Sequence, residues 1–296
     1  MACFHPLPAY RDPDTGRVHV LDSRFDRSYA NLTLPCGQCQ GCRLERSRQW
    51  ATRIMHEASL YPVNSFVTLT YSDENLKPSL DYSDFQKFMK RLRKSSTDNI
   101  RYYMCGEYGS LNRRPHFHAC LFNCDFDDNT VWQKNRGNYI YRSKKLESLW
   151  PFGYSSIGNL TFQSAAYVSR YVMKLQTGFN AKDYYQDVDP ETGEIIQLVP
   201  EFNKMSLKPG IGAGWFEKYH SDVYPNDYVL INGKKSRPPR YYDNLYFKKG
   251  DLTANADLEC SRLEKALKHQ DNNTDERLAI REEVLKLRLN KLKREL

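Results

Sequence analysis

The chain has 296 residues, with 44 Lys and Arg against 36 Asp and Glu and a formal net charge of +8. That length builds one large domain or one domain with additions, and the modest positive balance suits a polyanionic partner. Eight cysteines, three of them in one cluster, are not the scattered framework of a small secreted protein; residues 1–10 lack the apolar core of a signal peptide, and no run approaches a membrane span, so the expectation is a cytoplasmic protein with no membrane partner. Aromatics make up 13% of residues, 21 of them Tyr, and aromatics interleaved with Arg and Lys suit single-stranded nucleic acid; a basic protein without special affinity is the alternative.

In chain order, residues 1–33 hold Cys3, His5 and many turn formers, and Asp14-Thr15-Gly16-Arg17 before Val18 and Val20 predicts a small hairpin. Cys36, Cys39 and Cys42 follow at three-residue spacing, with Gly37 and Gly41 permitting tight turns, in the manner of a zinc knuckle. Cys3 is the first candidate for a fourth ligand, then His5, His56 and Cys105. Structural Zn²⁺ is the preferred occupant, with an iron–sulfur cluster or no metal as alternatives. Residues 43–60 read as a basic helix with an apolar stripe of Leu44, Trp50, Ile54 and Ala58. Its arginines, Arg43 and Arg46 first, are candidate phosphate contacts or simply a solvated face.

Phe66, Thr68 and Thr70 alternate against Val67, Leu69 and Tyr71, which predicts a strand over 65–71. Phe85, Phe88, Met89 and Leu92 recur at helical spacing over 81–94. Strands over 100–105 and 116–123 come next. In the second, His116 and His118 are two apart and share a face of an extended backbone, while Phe117 points the other way. Glu107 lies nine residues before His116, and a loop with Asn112 and Pro115 turns its strand back antiparallel, bringing the carboxylate near both imidazoles. Two His and one carboxylate leave open positions for water and a phosphate oxygen, and suit Mg²⁺ or Mn²⁺. Residues 124–150 read as an insertion, either a DNA-gripping hairpin or a packing elaboration, and 152–162 adds a strand.

Residues 161–174 read as a helix on which Tyr167 and Tyr171 are four apart and Lys174 falls on the same side. A phenol is a usable nucleophile towards phosphorus when a metal polarises the phosphate and a cation helps its deprotonation, and the YxxK setting favours Tyr171 as the first nucleophile. A core pair of aromatics is the bland alternative. Asp189-Pro190-Glu191-Thr192-Gly193 is a strong turn within 178–200, read as a hairpin or a mobile loop. The glycine-rich 204–216 does not fit a nucleotide-cradling loop, so any duplex unwinding belongs to a partner. Lys234 to Tyr242 mixes basic residues, prolines and tyrosines. Leu258 to Lys268 and Asp275 to Leu296 read as charged helices, with Leu278, Leu285 and Leu292 every seven residues.

Phe66-Val67-Thr68-Leu69-Thr70-Tyr71, Pro115-His116-Phe117-His118 with Glu107, and Tyr167 through Lys174 together resemble the motifs of the HUH endonucleases that initiate rolling-circle replication. More narrowly, with Leu34 to Arg43, Phe88 to Leu92, Ser155 to Gly158 and Arg237 to Tyr242, the chain resembles the replication initiation proteins of gokushovirus-type microviruses over roughly residues 1–245. The resemblance implies a metal-dependent, site-specific nickase and religase of single-stranded DNA at a viral origin, working through a 5′-phosphotyrosine in a bacterial host's cytoplasm with a host helicase and DNA polymerase. Glu107, His116 and His118 are then the metal ligands, Tyr171, Tyr167 and Lys174 the catalytic groups, and Arg43, Arg46, Arg114 and Arg170 the candidate DNA contacts. The rivals are a non-enzymatic zinc-containing nucleic-acid-binding protein and a plasmid or transposon nickase. The expected fold is α+β: a central antiparallel sheet backed by helices on one face. The expected division is a Cys-cluster region and basic helix at 1–60, a nickase core at 61–245 and a helical tail at 246–296.

Overall fold

A computed structural model describes residues 3–21, 27–109, 112–135, 137–170, 181–188, 192–224 and 226–293. The chain forms two compact units, Met1–Arg46 with Lys249–Leu296, and Ser47–Lys248. In the first, β1 (Leu7–Arg11) pairs antiparallel with β2 (Val18–Val20) and β3 (Leu32–Leu34). The β1–β2 turn is the expected hairpin: Asp12 Oδ1 accepts the N–H groups of Asp14 and Thr15 at 2.9 and 3.0 Å. Helix α1 (Gln40–Ala58) follows the cysteine cluster.

The second unit is built on β4 (Asn64–Tyr71), whose residues alternate between half-buried and buried along its whole length. Helix α2 (Tyr82–Lys94) begins where Asp81 accepts the Ser83 N–H at 2.9 Å. It buries Phe85, Phe88, Met89 and Leu92. Strands β5 (Arg101–Tyr108) and β6 (Pro115–Phe122) form the hairpin beside β4. The insertion supplies β7 (Thr130–Asn135), β8 (Asn138–Arg142) and α3 (Lys144–Leu149); then come β9 (Gly153–Asn159) and α4 (Phe162–Arg170). The short α5 (Ala181–Tyr184) precedes the hairpin β10 (Gln186–Val188) and β11 (Ile195–Gln197), the expected pair around a turn whose residues 189–191 lie outside the described set. After β12 (Phe202–Met205), α6 (Ala213–Val223), the pair β13 (Val229–Ile231) and β14 (Lys234–Ser236), and α7 (Arg240–Phe247) complete the unit. Helices α8 (Leu252–Leu267) and α9 (Asp275–Lys293) belong to the first unit; on α9, Leu278 is buried and Leu285 and Leu289 are half-buried along one seam.

The fold is α+β around a seven-stranded antiparallel sheet in the order β12-β5-β6-β4-β9-β8-β7. Helices cover both of its faces, not one. On one face Val67, Leu69, Met104, Phe117, Ala119 and Leu121 pack with α2, α3 and Trp150; on the other Tyr103, Cys105, Cys120 and Phe122 pack with Ala51 and Ile54 of α1 and Ala165 and Val168 of α4. The reason is in β5 and β6. Both are apolar at alternate and intervening positions alike, so each face needs cover. The edge strand β12 was not expected either. It pairs with β5 at Phe202↔Gly106, and a Cβ at Gly106 would lie 3.0 Å from the Phe202 ring, so glycine lets that ring close onto the sheet.

Candidate functional site

The β5–β6 ladder sets Glu107 opposite His116 and Cys105 opposite His118, and the β4–β6 ladder sets Thr70 opposite His116 and Thr68 opposite His118. Alternation therefore puts Glu107, His116, His118, Thr68 and Thr70 on the face that α1 and α4 cover further along. The apolar half of this face, Tyr103, Cys105, Cys120 and Phe122, is packed under the helices, and the polar half is left at their edge.

There His116 Nε2 and His118 Nε2 converge on one oxygen, Glu107 Oε1, at 2.7 and 3.0 Å. Both outer nitrogens are held: His116 Nδ1 lies 3.0 Å from the Arg114 carbonyl and His118 Nδ1 lies 2.9 Å from Thr68 Oγ1. A carbonyl only accepts, so His116 Nδ1 carries the proton and Nε2 is the face turned to the site. A neutral imidazole would then set a lone pair against the carboxylate at 2.7 Å. A proton or a cation has to lie between them. Burial works to raise the Glu107 pKa, but the hydrogen bonds and charges of His116 and His118 outweigh it and hold the carboxyl below its ordinary value. Glu107 and His118 are buried and His116 is half-buried. One ligand atom from each of the three lies within 4.8 Å of the others. Two nitrogens with fixed outer partners and one anionic oxygen are a donor set that fits a divalent cation with coordination positions to spare.

Helix α4 carries Tyr167 to this place. Thr161 Oγ1 accepts the Ser164 N–H at 3.2 Å while Ser164 Oγ accepts the Thr161 N–H at 2.8 Å, a reciprocal cap at its start. Ala165 and Val168 bury against the sheet, and Asn203 Nδ2 bridges from β12 to the Val168 carbonyl at 3.3 Å. Tyr167, on the adjoining side, sets its ring edge-on to His118, centroids 5.2 Å apart at 84°. Tyr171 and Lys174 lie outside the described residues.

The four candidate DNA-binding arginines are dispersed. Arg114 is half-buried, donates to the Tyr71 carbonyl at 2.8 Å and pairs with Asp73, while its own carbonyl orients His116. Arg170 is exposed at the end of α4. Arg43 and Arg46 are on the stretch of α1 that belongs with the cysteine cluster, Arg46 exposed. Sequence reading missed Thr68 as the partner of His118 and the Arg114 carbonyl as the partner of His116. The first was open to inference, since alternation in β4 puts Thr68 on the histidine face; the second depends on the turn and leaves no residue-type signal.

In the first unit Cys3, Cys36, Cys39 and Cys42 bring their sulfurs within 4.8 Å of one another. Cys3 Sγ lies 3.6 Å from Cys36 Sγ and 4.0 Å from Cys39 Sγ. Tetrahedral ligands at a Zn–S distance of about 2.3 Å stand about 3.8 Å apart, so the set fits Zn²⁺. The N–H groups of Cys36, Phe4 and Cys39 point at the sulfurs of Cys3, Cys39 and Cys36 at 3.2, 3.4 and 3.3 Å. Burial works to raise the Cys39 pKa, but the N–H groups of Phe4 and Cys42 and the neighbouring thiols bring it down to about 6; burial pushes the Cys42 thiol up. Of the other fourth-ligand candidates, His5 contacts Glu282 at 3.1 Å, His56 stacks on Trp215 at 3.6 Å, and Cys105 is in the sheet core.

An antiparallel sheet with a Glu–His–His set on a hairpin and a tyrosine helix over it defines the class to which the chain compares. The family model of replication-associated protein ORF2 matches residues 64–176, the span from β4 through α4 and beyond. Replication-associated protein VP4 of Bdellovibrio phage phiMH2K is 34% identical over 259 residues, covering 84% of this chain and 78% of the relative. Replication-associated protein ORF2 of Spiroplasma virus 4 is 34% identical over 268 residues, 82% and 79% of the two chains. A shorter match, 30% identical over 106 residues, 30% of this chain and 20% of the relative, is to replication-associated protein A of Enterobacteria phage phiX174. No solved structure matches. The chain belongs to the phage replication-associated proteins. Among the described residues no helix is long and apolar enough to cross a membrane.

Proposed function

We propose that the protein is a metal-dependent, site-specific nickase and strand transferase that starts rolling-circle replication at a single-stranded viral origin in the cytoplasm of a bacterial host. The observation that carries this reading is the Glu107–His116–His118 set with the Tyr167 ring against His118. Glu107 and the two Nε2 atoms hold Mg²⁺ or Mn²⁺, which when bound polarises the scissile phosphate and shields its charge. Thr68 and the Arg114 carbonyl keep the imidazoles aimed at that place. Tyr171 or Tyr167 attacks the phosphorus through its phenolic oxygen. The P–O3′ bond breaks, the 3′ oxygen leaves with a proton as a hydroxyl, and the 5′ phosphate stays on the tyrosine. Lys174 stabilises the phenolate, which favours Tyr171 for the first attack, and the other tyrosine takes the strand over at termination. One phosphodiester replaces another, so the released 3′-hydroxyl can attack the phosphotyrosine and rejoin the strand.

In this reading the core at 61–245 performs the chemistry, the region 1–60 is stiffened by Zn²⁺ on Cys3, Cys36, Cys39 and Cys42, and the tail 246–296 is an accessory. Arg43, Arg46, Arg114 and Arg170 are the candidate DNA contacts, with Arg114 also engaged by Asp73. A host helicase opens the duplex and a host polymerase extends the 3′ end. The phage source of the relatives supports a phage role over that of a plasmid or transposon nickase.

The test is incubation with labelled viral-strand DNA and Mn²⁺, followed by a denaturing gel. A protease-sensitive, shifted band is expected from the native protein and is expected to vanish in Tyr167→Phe/Tyr171→Phe with DNA binding retained. An adduct that survives the double substitution would remove the tyrosines from the reaction. Binding with no adduct under any divalent ion would instead favour the zinc-containing binding protein.

A further inference from the structure

Beside the metal face, the sheet holds a cleft of about 210 Å³ lined by Thr68, Thr70, Trp132, Arg142, Tyr154 and Ser156. We infer that it is a stacking subsite for one unpaired nucleobase of the strand whose phosphate lies at Glu107, His116 and His118; the identity of that strand rests on the nickase reading.

The register puts the cleft in line with the metal set. Thr70 is opposite His116 on one side and Tyr154 on the other, and Thr68 is likewise between His118 and Ser156. His116, Thr70 and Tyr154 thus form one row across three strands, so Tyr154 stands two strand spacings, about 10 Å, from His116. A nucleotide close to the scissile phosphate reaches that far.

The lining is built to hold a flat, partly polar ring. Tyr154 is 62% exposed and Trp132 58%, large aromatics left open on a face whose other half is packed under helices. Trp132 owes its position to a bulge. The β7–β8 ladder pairs Val131 with Tyr141 and Gln133 with Ile140, which leaves Trp132 as the extra residue with no partner across the ladder. Bulges re-aim a side chain out of the regular alternation, and here the ring lines the cleft. The Arg142 guanidinium lies 5.9 Å from the Trp132 ring and is anchored by Glu147, its Nε 2.8 Å from Oε1. Glu147 offsets part of that charge, so the cleft's grip comes from stacking more than from attraction to phosphate. The hydroxyls of Thr68, Thr70 and Ser156 both donate and accept, and suit a base edge whose pairing partner is absent.

The experiment compares binding of oligodeoxythymidine with that of an abasic phosphodiester of equal length, in EDTA, by anisotropy. The native protein is expected to prefer the base-bearing strand. Trp132→Ala and Tyr154→Ala are each expected to cut that preference roughly five- to a hundredfold while leaving affinity for the abasic strand in place, and Trp132→Phe is expected to restore most of it. Both side chains are more than half exposed, so the variants should fold, which circular dichroism verifies. Base-bearing and abasic strands bound equally by the native protein, or a preference untouched by both alanine variants, overturns the subsite. Adduct formation on viral-strand DNA is scored separately. Normal adducts with no base preference sink the subsite alone, whereas a base preference lost in the variants without any adduct from the native protein upholds the subsite and sinks the nickase.

Discussion

At the scale of single residues, the candidate metal set depends on groups that touch no metal. His118 is aimed by Thr68 through a 2.9 Å contact at Nδ1. Thr68→Val keeps the shape and removes the hydroxyl, leaving the ring free to tilt. Mn²⁺ affinity, measured by titration calorimetry, is expected to fall roughly 10–100-fold, with the fold unchanged. An affinity equal to that of the native protein would mean that Thr68 has no part in holding the ion. Much at this scale was readable beforehand: His116, His118 and Glu107 came from a two-residue alternation and one antiparallel turn, and both follow from backbone periodicity. What could not be read was the partner of His116, because a main-chain carbonyl looks the same under every side chain.

Among the elements, β9 shows how narrowly the face beside the metal set is positioned. Gly153 enters the strand at φ 155°, and a Cβ there would lie closer than 3.0 Å to the backbone of residues 70–72. Neither strand has a flexible side-chain end that could yield. Gly153→Ala should therefore cost about 1–3 kcal/mol of stability, read as a lower urea midpoint; an unchanged midpoint would show that the β4–β9 junction relaxes without penalty. The strands and helices with strong periodicity, β4, α2, β5, β6 and α4, were legible in the sequence because each signals its own buried side. Strand β12 was not, since it is only four residues, Phe202–Met205, and its partner β5 lies about a hundred residues earlier. The second helical layer was missed for a different reason. A strand apolar on both sides says that it is covered twice, but not by which helix.

For the whole molecule, the two units each carry their own cluster of donor groups: four thiols in Met1–Arg46, and Glu107, His116 and His118 in Ser47–Lys248. Soft sulfur and harder oxygen–nitrogen sets select different ions, so they should load independently. Cys39→Ser is expected to lose bound Zn²⁺ by elemental analysis and to lower the melting temperature, with Mn²⁺ affinity unaltered. Acid should act similarly on the native protein, since Cys39 gains its proton as the pH falls below about 6 and the proton then competes with the ion. Zinc content unchanged in Cys39→Ser would remove that thiol from the ligand set.

All three donors of the Glu–His–His set lie on one hairpin, between residues 107 and 118. Closing so short a loop costs little chain entropy, so this trio forms on a local contact, early and without help from distant segments. Tyr167 must wait for β9 and then for α4 to settle across β5 and β6. A folding chain can therefore hold an ion before it holds a nucleophile, and cutting ability arrives last, with the long-range contacts that mark the finished sheet.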